Sequence, residues 1–340
     1  MESAKKRVTI KDVARVVGVS YATVSRALSG SPEISEETRQ RIDAICREMG
    51  YMPNSIARAM VMRRSQIIGL IMPSINNFFM SELADCIETR LRRAGYDLMV
   101  CNTSYEPRLE RQAFELLIGR QADGIIFLPS GVESYKGLEA YFAQVPVVIL
   151  GENLRETPDS YVSVDNTRGT RIGVEYLYEL GHRRILYLGN RKGSMTHGLR
   201  AEGYRQACRE LGLDADMLDS PFERSSVDAG YTLAREYFCE NLRHSAIFCA
   251  SDSLAIGVMK AADEAGLRIP EDFSLMGFDN ISFSALPRID LTTINQPERE
   301  MAEAGVDMLL ERLRVPETEK KHRLIEPDLV IRSSCRKVEE

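Results

Sequence analysis

The stretch Val8–Gly30, VTIKDVARVVGVSYATVSRALSG, decides how the N-terminal end folds. Thr9-Ile10-Lys11-Asp12 has the form of a capping box, with a hydroxyl residue followed three positions later by an acid. Val13, Ala14 and Val17 then recur at helical spacing, and Gly18 stops the run. After Val19, Ser20 is a good N-cap for a second helix, Tyr21 to Leu28. Its Val24, Ala27 and Leu28 form the inward stripe, while Tyr21, Ala22, Ser25 and Arg26 face out. Two short helices joined by a tight Gly-Val-Ser turn make a helix-turn-helix pattern. A third helix is expected from Ser35-Glu36-Glu37-Thr38 onward, with Ile42, Ile45 and Met49 on one face and Gly50 as its stop.

From Gln66 the texture changes. Short apolar strands (67–73, 97–101, 124–128, 147–150) alternate with amphipathic segments (79–94, 109–120), and a further helix is expected before 147. A second series opens near Tyr161, with strands at 162–164, 184–188, 246–249 and 274–277. Between them lie helices at 169–180, 198–211, 228–239 and 254–265. A tail of strand 291–294, helix 299–313 and strand 325–331 supplies further elements. Alternation of this kind predicts parallel sheets covered by helices on both faces. Two successive α/β units of similar size predict two lobes with a ligand cleft between them.

Composition narrows the function classes. The chain has 340 residues, 44% of them hydrophobic, enough for two or three domains. Residues 1–64 hold 12 Lys/Arg against 7 Asp/Glu, which leaves 32 against 43 for the remainder. A basic head on an acidic body suits a protein that meets phosphate at one end only. The seven cysteines are scattered, odd in number and free of any C-x-x-C pair, as expected for reduced thiols. The four histidines are dispersed, so neither a metal nor a cofactor is expected. No basic segment leads into an apolar signal core and no apolar run reaches membrane-spanning length, so a soluble, cytoplasmic protein with no membrane partner is expected. Phosphate-binding glycine loops, a G-x-S-x-G elbow and H-E-x-x-H are all missing, which argues against an enzyme. Asp252 and Asp279 each follow an apolar strand, where α/β folds gather binding residues, but neither has a paired base, nucleophile or metal ligand.

Residues 8–30 closely resemble the head of the lac repressor (LacI/GalR) family. So do Gly50-Tyr51-Met52-Pro53-Asn54 and Ala57-Arg58-Ala59-Met60. The likeness continues, in order, through Ile68–Pro73, Asp123–Ile126, Val164-Asp165-Asn166, Leu180–Ile185, Gly277-Phe278-Asp279-Asn280 and Leu291–Ile294. It implies an all-α helix-turn-helix head (1–53), a hinge helix (54–64) and an α/β core (65–340) of two Rossmann-like lobes, like periplasmic sugar-binding proteins. The lobe boundaries are expected at 65–160 with 294–323, and 161–293 with 324–335. Such a protein works as a homodimer on a near-palindromic DNA operator, as a repressor governed by a small polar effector of carbohydrate type.

Carried over residue by residue, the resemblance implies that Tyr21, Ala22 and Arg26 face base edges in the major groove. That fits their chemistry, since Arg26 can pair bidentately with guanine and Ala22 offers a methyl contact. Thr9, Ser20, Thr23, Ser25 and Asn54 are short donors suited to phosphate; a helix-end hydroxyl bonded locally is the alternative for Thr23. In the hinge, Ala57 and Arg58 join the DNA-binding set, and Met60 stands where the family inserts leucine into the minor groove; packing on the dimer mate is the alternative. The effector residues implied are Asn77, Phe79, Arg200, Ser251, Asp279 and Gln296. Phe79 can stack on a sugar face or pack in the core, and Arg200 suits hydroxyl pairs or a carboxylate. Arg200 and Asp279 are expected to meet the effector from opposite sides of the cleft wall. Phe78 and Met80 depart from the usual segment, Ser251 replaces a common Asn, and Gly151 replaces an acid. A solute-binding protein shares such a core but needs an export signal where this chain has its head.

Overall fold

The three capped starts become three helices: α1 (Ile10–Val17), α2 (Tyr21–Leu28) and α3 (Glu36–Met49). This computed structural model describes residues 8–28, 31–51, 64–131, 134, 137–151, 159–191, 194–222, 225–240, 242–315 and 317–338. Two units, Met1–Gln66 and Ile67–Glu340, divide the chain. In the first, Gly18 ends α1 in the left-handed region at φ +79°, where a side chain would be strained. Ser20 accepts the Thr23 N–H at 3.1 Å and starts α2. Val13, Ala14, Val17, Val24, Ala27, Ile42 and Cys46 close the core of the head, so every helix buries one stripe.

The second unit is built on two six-stranded sheets. Lobe one contains β1 (Ile67–Met72), β2 (Asp97–Asn102), β3 (Gly124–Phe127), β4 (Val147–Leu150) and β5 (Ser160–Val164), together with β11 (His322–Ile325). Their order is β11-β5-β4-β3-β1-β2, and all pairs are parallel. Lobe two contains β6 (Ile185–Arg191), β7 (Asp216–Ser220), β8 (Ala246–Cys249), β9 (Ser274–Asp279), β10 (Thr292–Asn295) and β12 (Asp328–Val330). Their order is β12-β10-β9-β8-β6-β7, and only β12 runs antiparallel to its neighbour. Helices α4 (Phe78–Arg93), α5 (Pro107–Gly119) and the short α6 (Glu139–Phe142) accompany the first sheet. The second carries α7 (Asn166–Glu179), α8 (Met195–Leu211), α9 (Val227–Cys239) and α10 (Asp252–Glu264). The last helix, α11 (Glu298–Arg314), returns to lobe one, where Met301, Val306 and Leu309 are fully buried.

Three sequence expectations need correction. Strand β5 belongs to the first sheet, between β4 and β11, so lobe two begins after Val164 and not at 161. Conversely Ile294 lies in β10 of lobe two, and the expected strand 325–331 splits into β11 for one sheet and β12 for the other. Buried parallel strands look alike in sequence whichever sheet they join. Strand β7 was not expected at all, because Asp216-Met217-Leu218-Asp219-Ser220 is an edge strand with too few apolar residues to announce itself. The chain therefore passes between the lobes three times, after β5, β10 and β11. The first and third passages are joined where the Asp165 N–H donates to the Ile325 carbonyl at 3.0 Å.

Candidate functional site

On the head, the outward face of α2 carries the residues expected to meet DNA. Tyr21 is 63% exposed, Arg26 is exposed, and Ala22, Thr23 and Ser25 are half-buried beside them. Ser20 and Thr23 share a hydroxyl contact of 2.9 Å within the N-cap, so both serve the helix start as well as facing outward. Thr9 donates its hydroxyl to the Asp12 carboxylate at 2.6 Å and its N–H to the same oxygen at 3.0 Å. Asn54, Ala57, Arg58 and Met60 lie outside the described residues.

In the core unit a cleft of about 720 Å³, partly continuous with solvent, opens between the carboxyl ends of the two sheets. All six expected effector residues, Asn77, Phe79, Arg200, Ser251, Asp279 and Gln296, line it. The wall from lobe one is mainly apolar: Pro73, Phe79, Met80, Leu83, Tyr105, Leu128, Pro129 and Leu150. The wall from lobe two is polar: Ser194, Thr196, His197, Arg200, Ser225, Ser251 and Asp279. Each polar group is placed by a recognisable device. Ser194 caps α8, so His197 and Arg200 fall on its buried face at i+3 and i+6. Gly203 lets α8 lie against α7, because a Cβ there would stand 2.4 Å from the Thr167 carbonyl oxygen. Asn77 and Ser251 cap α4 and α10, accepting the Met80 and Leu254 N–H groups at 3.0 and 3.3 Å. These two therefore hold structural bonds in addition to facing the cleft.

Arg200 and Asp279 do not face each other across open space. They form an ion pair of 3.1 Å, both almost fully buried, which corrects the expectation of opposite sides. Arg200 also donates Nε to Asn166 Oδ1 at 2.8 Å and Nη1 to the Ala250 carbonyl at 2.5 Å, and its guanidinium lies 3.7 Å from the Phe278 ring centre. Asp279 Oδ1 accepts Gln296 Nε2 at 2.7 Å. Burial pushes the Asp279 carboxyl up, and Arg200 and Gln296 oppose that rise. Behind the pair, Asp252 is wholly buried. It accepts the Ile281 N–H at 3.0 Å and the Ser284 and Thr293 hydroxyls at 2.6 Å each. Burial, then the charge of Asp279, push the Asp252 carboxyl up to about 7, against those three donors. Asp252 is thus the anchor that fixes the 281–284 turn beneath the cleft rather than a ligand contact. Gly277 leaves room beside it, since a Cβ would stand 2.1 Å from Asp252 Oδ1 and force that carboxylate to shift.

Several lining residues were not anticipated. His197 is buried, with Nδ1 3.0 Å from the Gly189 carbonyl and Nε2 3.0 Å from the Ser225 hydroxyl. Its spacing of three before Arg200 was the available signal. Ser130 is set by buried Glu110, whose Oε1 accepts the Ser130 N–H at 2.8 Å and the Ser134 hydroxyl at 3.1 Å. The lobes also touch directly. The Thr196 hydroxyl donates to the Gly151 carbonyl at 3.2 Å, the Ser282 N–H donates to Glu82 at 2.9 Å, and the Phe78 and Phe283 rings are centred 4.8 Å apart. Among the described residues no cluster of His, Cys, Asp and Glu could hold a metal ion, and no helix is long and apolar enough to cross a membrane.

A helix-turn-helix head followed by a two-lobed α/β core with a polar interlobe cleft defines a class of DNA-binding regulators built on a small-molecule-binding fold. Residues 9–54 match the family model described as bacterial regulatory proteins, lacI family, and residues 174–335 match a periplasmic binding protein-like domain. The chain is 33% identical to the HTH-type transcriptional regulator DegA of Bacillus subtilis, over 96% of this chain and 98% of that one. It is 30% identical to the HTH-type transcriptional repressor PurR of Vibrio atlanticus, again over 96% and 98%. The lac repressor dimer bound to operator and the anti-inducer ONPF superposes with a TM-score of 0.85 at 28% identity, covering 97% of this chain and all of that one. The chain belongs to the LacI family: it is a DNA-binding transcriptional regulator and not an enzyme.

Proposed function

We propose that the cleft binds a small, electrically neutral, hydroxyl-rich effector, a sugar or sugar derivative, whose occupancy sets operator affinity. The observation that carries this is the buried Arg200–Asp279 pair in a polar wall facing an apolar one. The pair cancels its own charge, so the wall offers donors and an acceptor without attracting an ion. A planar or ring-shaped ligand can lay its apolar face on Phe79 and its hydroxyl edge on Arg200, Asp279 and Gln296. Ser251 and Asn77 complete the polar contacts, and His197 holds the Ser225 hydroxyl at the cleft wall.

The DNA side follows from the head. Tyr21, Ala22 and Arg26 read base edges, and Thr9, Ser20, Thr23, Ser25 and Asn54 hold phosphate. Ala57, Arg58 and Met60 form a hinge that enters the minor groove when two subunits meet on a near-palindromic operator. Exposed Val100 and Leu116 of lobe one, with Phe222, Phe283 and Leu286 of lobe two, supply apolar surface for a homodimer to cover. A ligand that prefers one disposition of the lobes biases the paired hinges, and so the operator complex.

A thermal-shift screen of neutral sugars, sugar phosphates, sugar acids and nucleosides tests the cleft, followed by operator titration with each hit. A neutral sugar should raise the melting temperature and change operator affinity. A clear preference for phosphorylated or acidic ligands would contradict the charge-balanced wall.

A further inference from the structure

The recognition helix α2 carries an ion pair that neither DNA contact nor folding, as described above, makes use of. Arg26 Nη1 lies 2.7 Å from Glu33 Oε2. Glu33 sits in the turn between α2 and α3, and that turn is fastened at several points. The Ser31 N–H donates to the Arg26 carbonyl at 3.0 Å, the Ile34 N–H to the Ser31 carbonyl at 3.3 Å, and Arg39 Nη2 to that same carbonyl at 3.0 Å. Ile34 packs against the core of the head, so the turn delivers its neighbour Glu33 outward to the end of α2.

Electrostatics make this placement unexpected. The head carries a net positive charge, as a surface meeting phosphate should. A carboxylate beside the outward arginine opposes that attraction. An exposed pair of this kind also adds little to folding stability. Its effect is geometric. The arginine fork has five N–H donors, more than one carboxylate oxygen can occupy, so a contact through Nη1 is compatible with a bidentate pair to guanine. A guanidinium held against a carboxylate also has less freedom to lose on meeting a base.

We propose that Glu33 is a positioning residue for sequence recognition: it holds Arg26 for one base pair in each half-site, and it lowers affinity for all other DNA through its charge. This rests on the reading of Arg26 as a base contact. Discrimination is then gained from both sides, because the right base keeps its oriented partner while random DNA meets only the repulsion.

The test uses the full-length protein, the operator recovered from a random duplex library by the parent, and a random duplex of equal length. Glu33→Gln, which keeps shape and an acceptor oxygen, and Glu33→Ala should bind random DNA more tightly, with the salt slope steeper by about one. The operator-to-random ratio should fall by roughly fivefold or more, within the range of one bidentate base contact. Repeating the selection with each variant should relax base preference at a single symmetric position. Glu33→Gln supplies the answer if Glu33→Ala folds poorly. Operator and random affinities rising by the same factor, with an unchanged selection profile, would reduce Glu33 to an electrostatic brake and overturn the proposal. Arg26→Ala separates the two levels. If it leaves the ratio intact, the base-contact reading fails. If it collapses the ratio while both Glu33 variants behave as the parent, only the positioning role fails.

Discussion

Replacing Arg200 by alanine should damage the core before any effector is added. Its side chain is 3% exposed and that of Asp279 is 7% exposed, so the 3.1 Å pair is nearly dry. Removing the guanidinium strands the Asp279 carboxylate with Gln296 as its remaining described hydrogen-bond donor, and withdraws a donor from Asn166 and from the Ala250 carbonyl. Breaking a buried pair from one side costs about 3–5 kcal/mol. The loss should depend on pH. Burial already raises the Asp279 carboxyl above its ordinary value, and without Arg200 it rises further. A group whose folded pKa is raised contributes most below its unfolded pKa and loses stability as pH climbs through the folded one. The damage from Arg200→Ala should therefore be mild near pH 4 and grow toward pH 8. Asp279→Asn should destabilise by a similar amount near neutrality, because it leaves the guanidinium buried without its counter-charge.

The double variant Arg200→Ala/Asp279→Asn separates structure from recognition. With both charges gone, the stability losses should be non-additive, with at least about 2 kcal/mol recovered relative to the sum of the singles. Effector binding should not recover. The chain has no tryptophan, so urea unfolding is best followed by far-UV circular dichroism, and binding by titration calorimetry with the best ligand from the screen. Additive losses would refute the buried coupling. A double variant that binds the effector as the parent does would refute the assignment of these residues to the ligand.

Asp252→Asn keeps the contacts to the 281–284 turn if its amide turns toward Thr293. Because burial raises the Asp252 carboxyl to about 7, the parent should lose stability relative to this variant as pH rises from about 4 to 7, measured by paired melting curves; parallel curves would contradict an ionising buried acid. Gly277→Ala places a methyl against Asp252 and should lower stability by about 1–3 kcal/mol, read by the same urea titration. Library selection on the parent should return two inverted half-sites around a flexible pyrimidine–purine step, where a hinge wedge enters most cheaply; a direct repeat or a rigid central A-tract would contradict the Ala57–Met60 hinge.

The three helices of the head were legible from residues alone because their causes are local. Thr9, Ser20, Ser35, Gly18 and Gly50 act within one turn of where they stand, and the apolar stripes repeat every three to four residues. The alternation of strands and helices in the core was visible for the same reason, and the family likeness located six residues that do share one cleft. The tertiary structure alone decided which sheet each strand enters. Ser160–Val164 and Thr292–Asn295 have buried patterns that suit either lobe, and only the packing of α7 and α11 on opposite lobes separates them. Polar partners were equally hidden. Nothing near Arg200 in the chain shows that its counter-charge is Asp279, that Asp252 anchors the turn beneath them, or that Glu33 reaches back to Arg26. Caps and periodicity are set by neighbours in sequence, whereas a buried charge takes whatever partner the finished packing brings within reach, because leaving it alone there costs more than any local preference can supply.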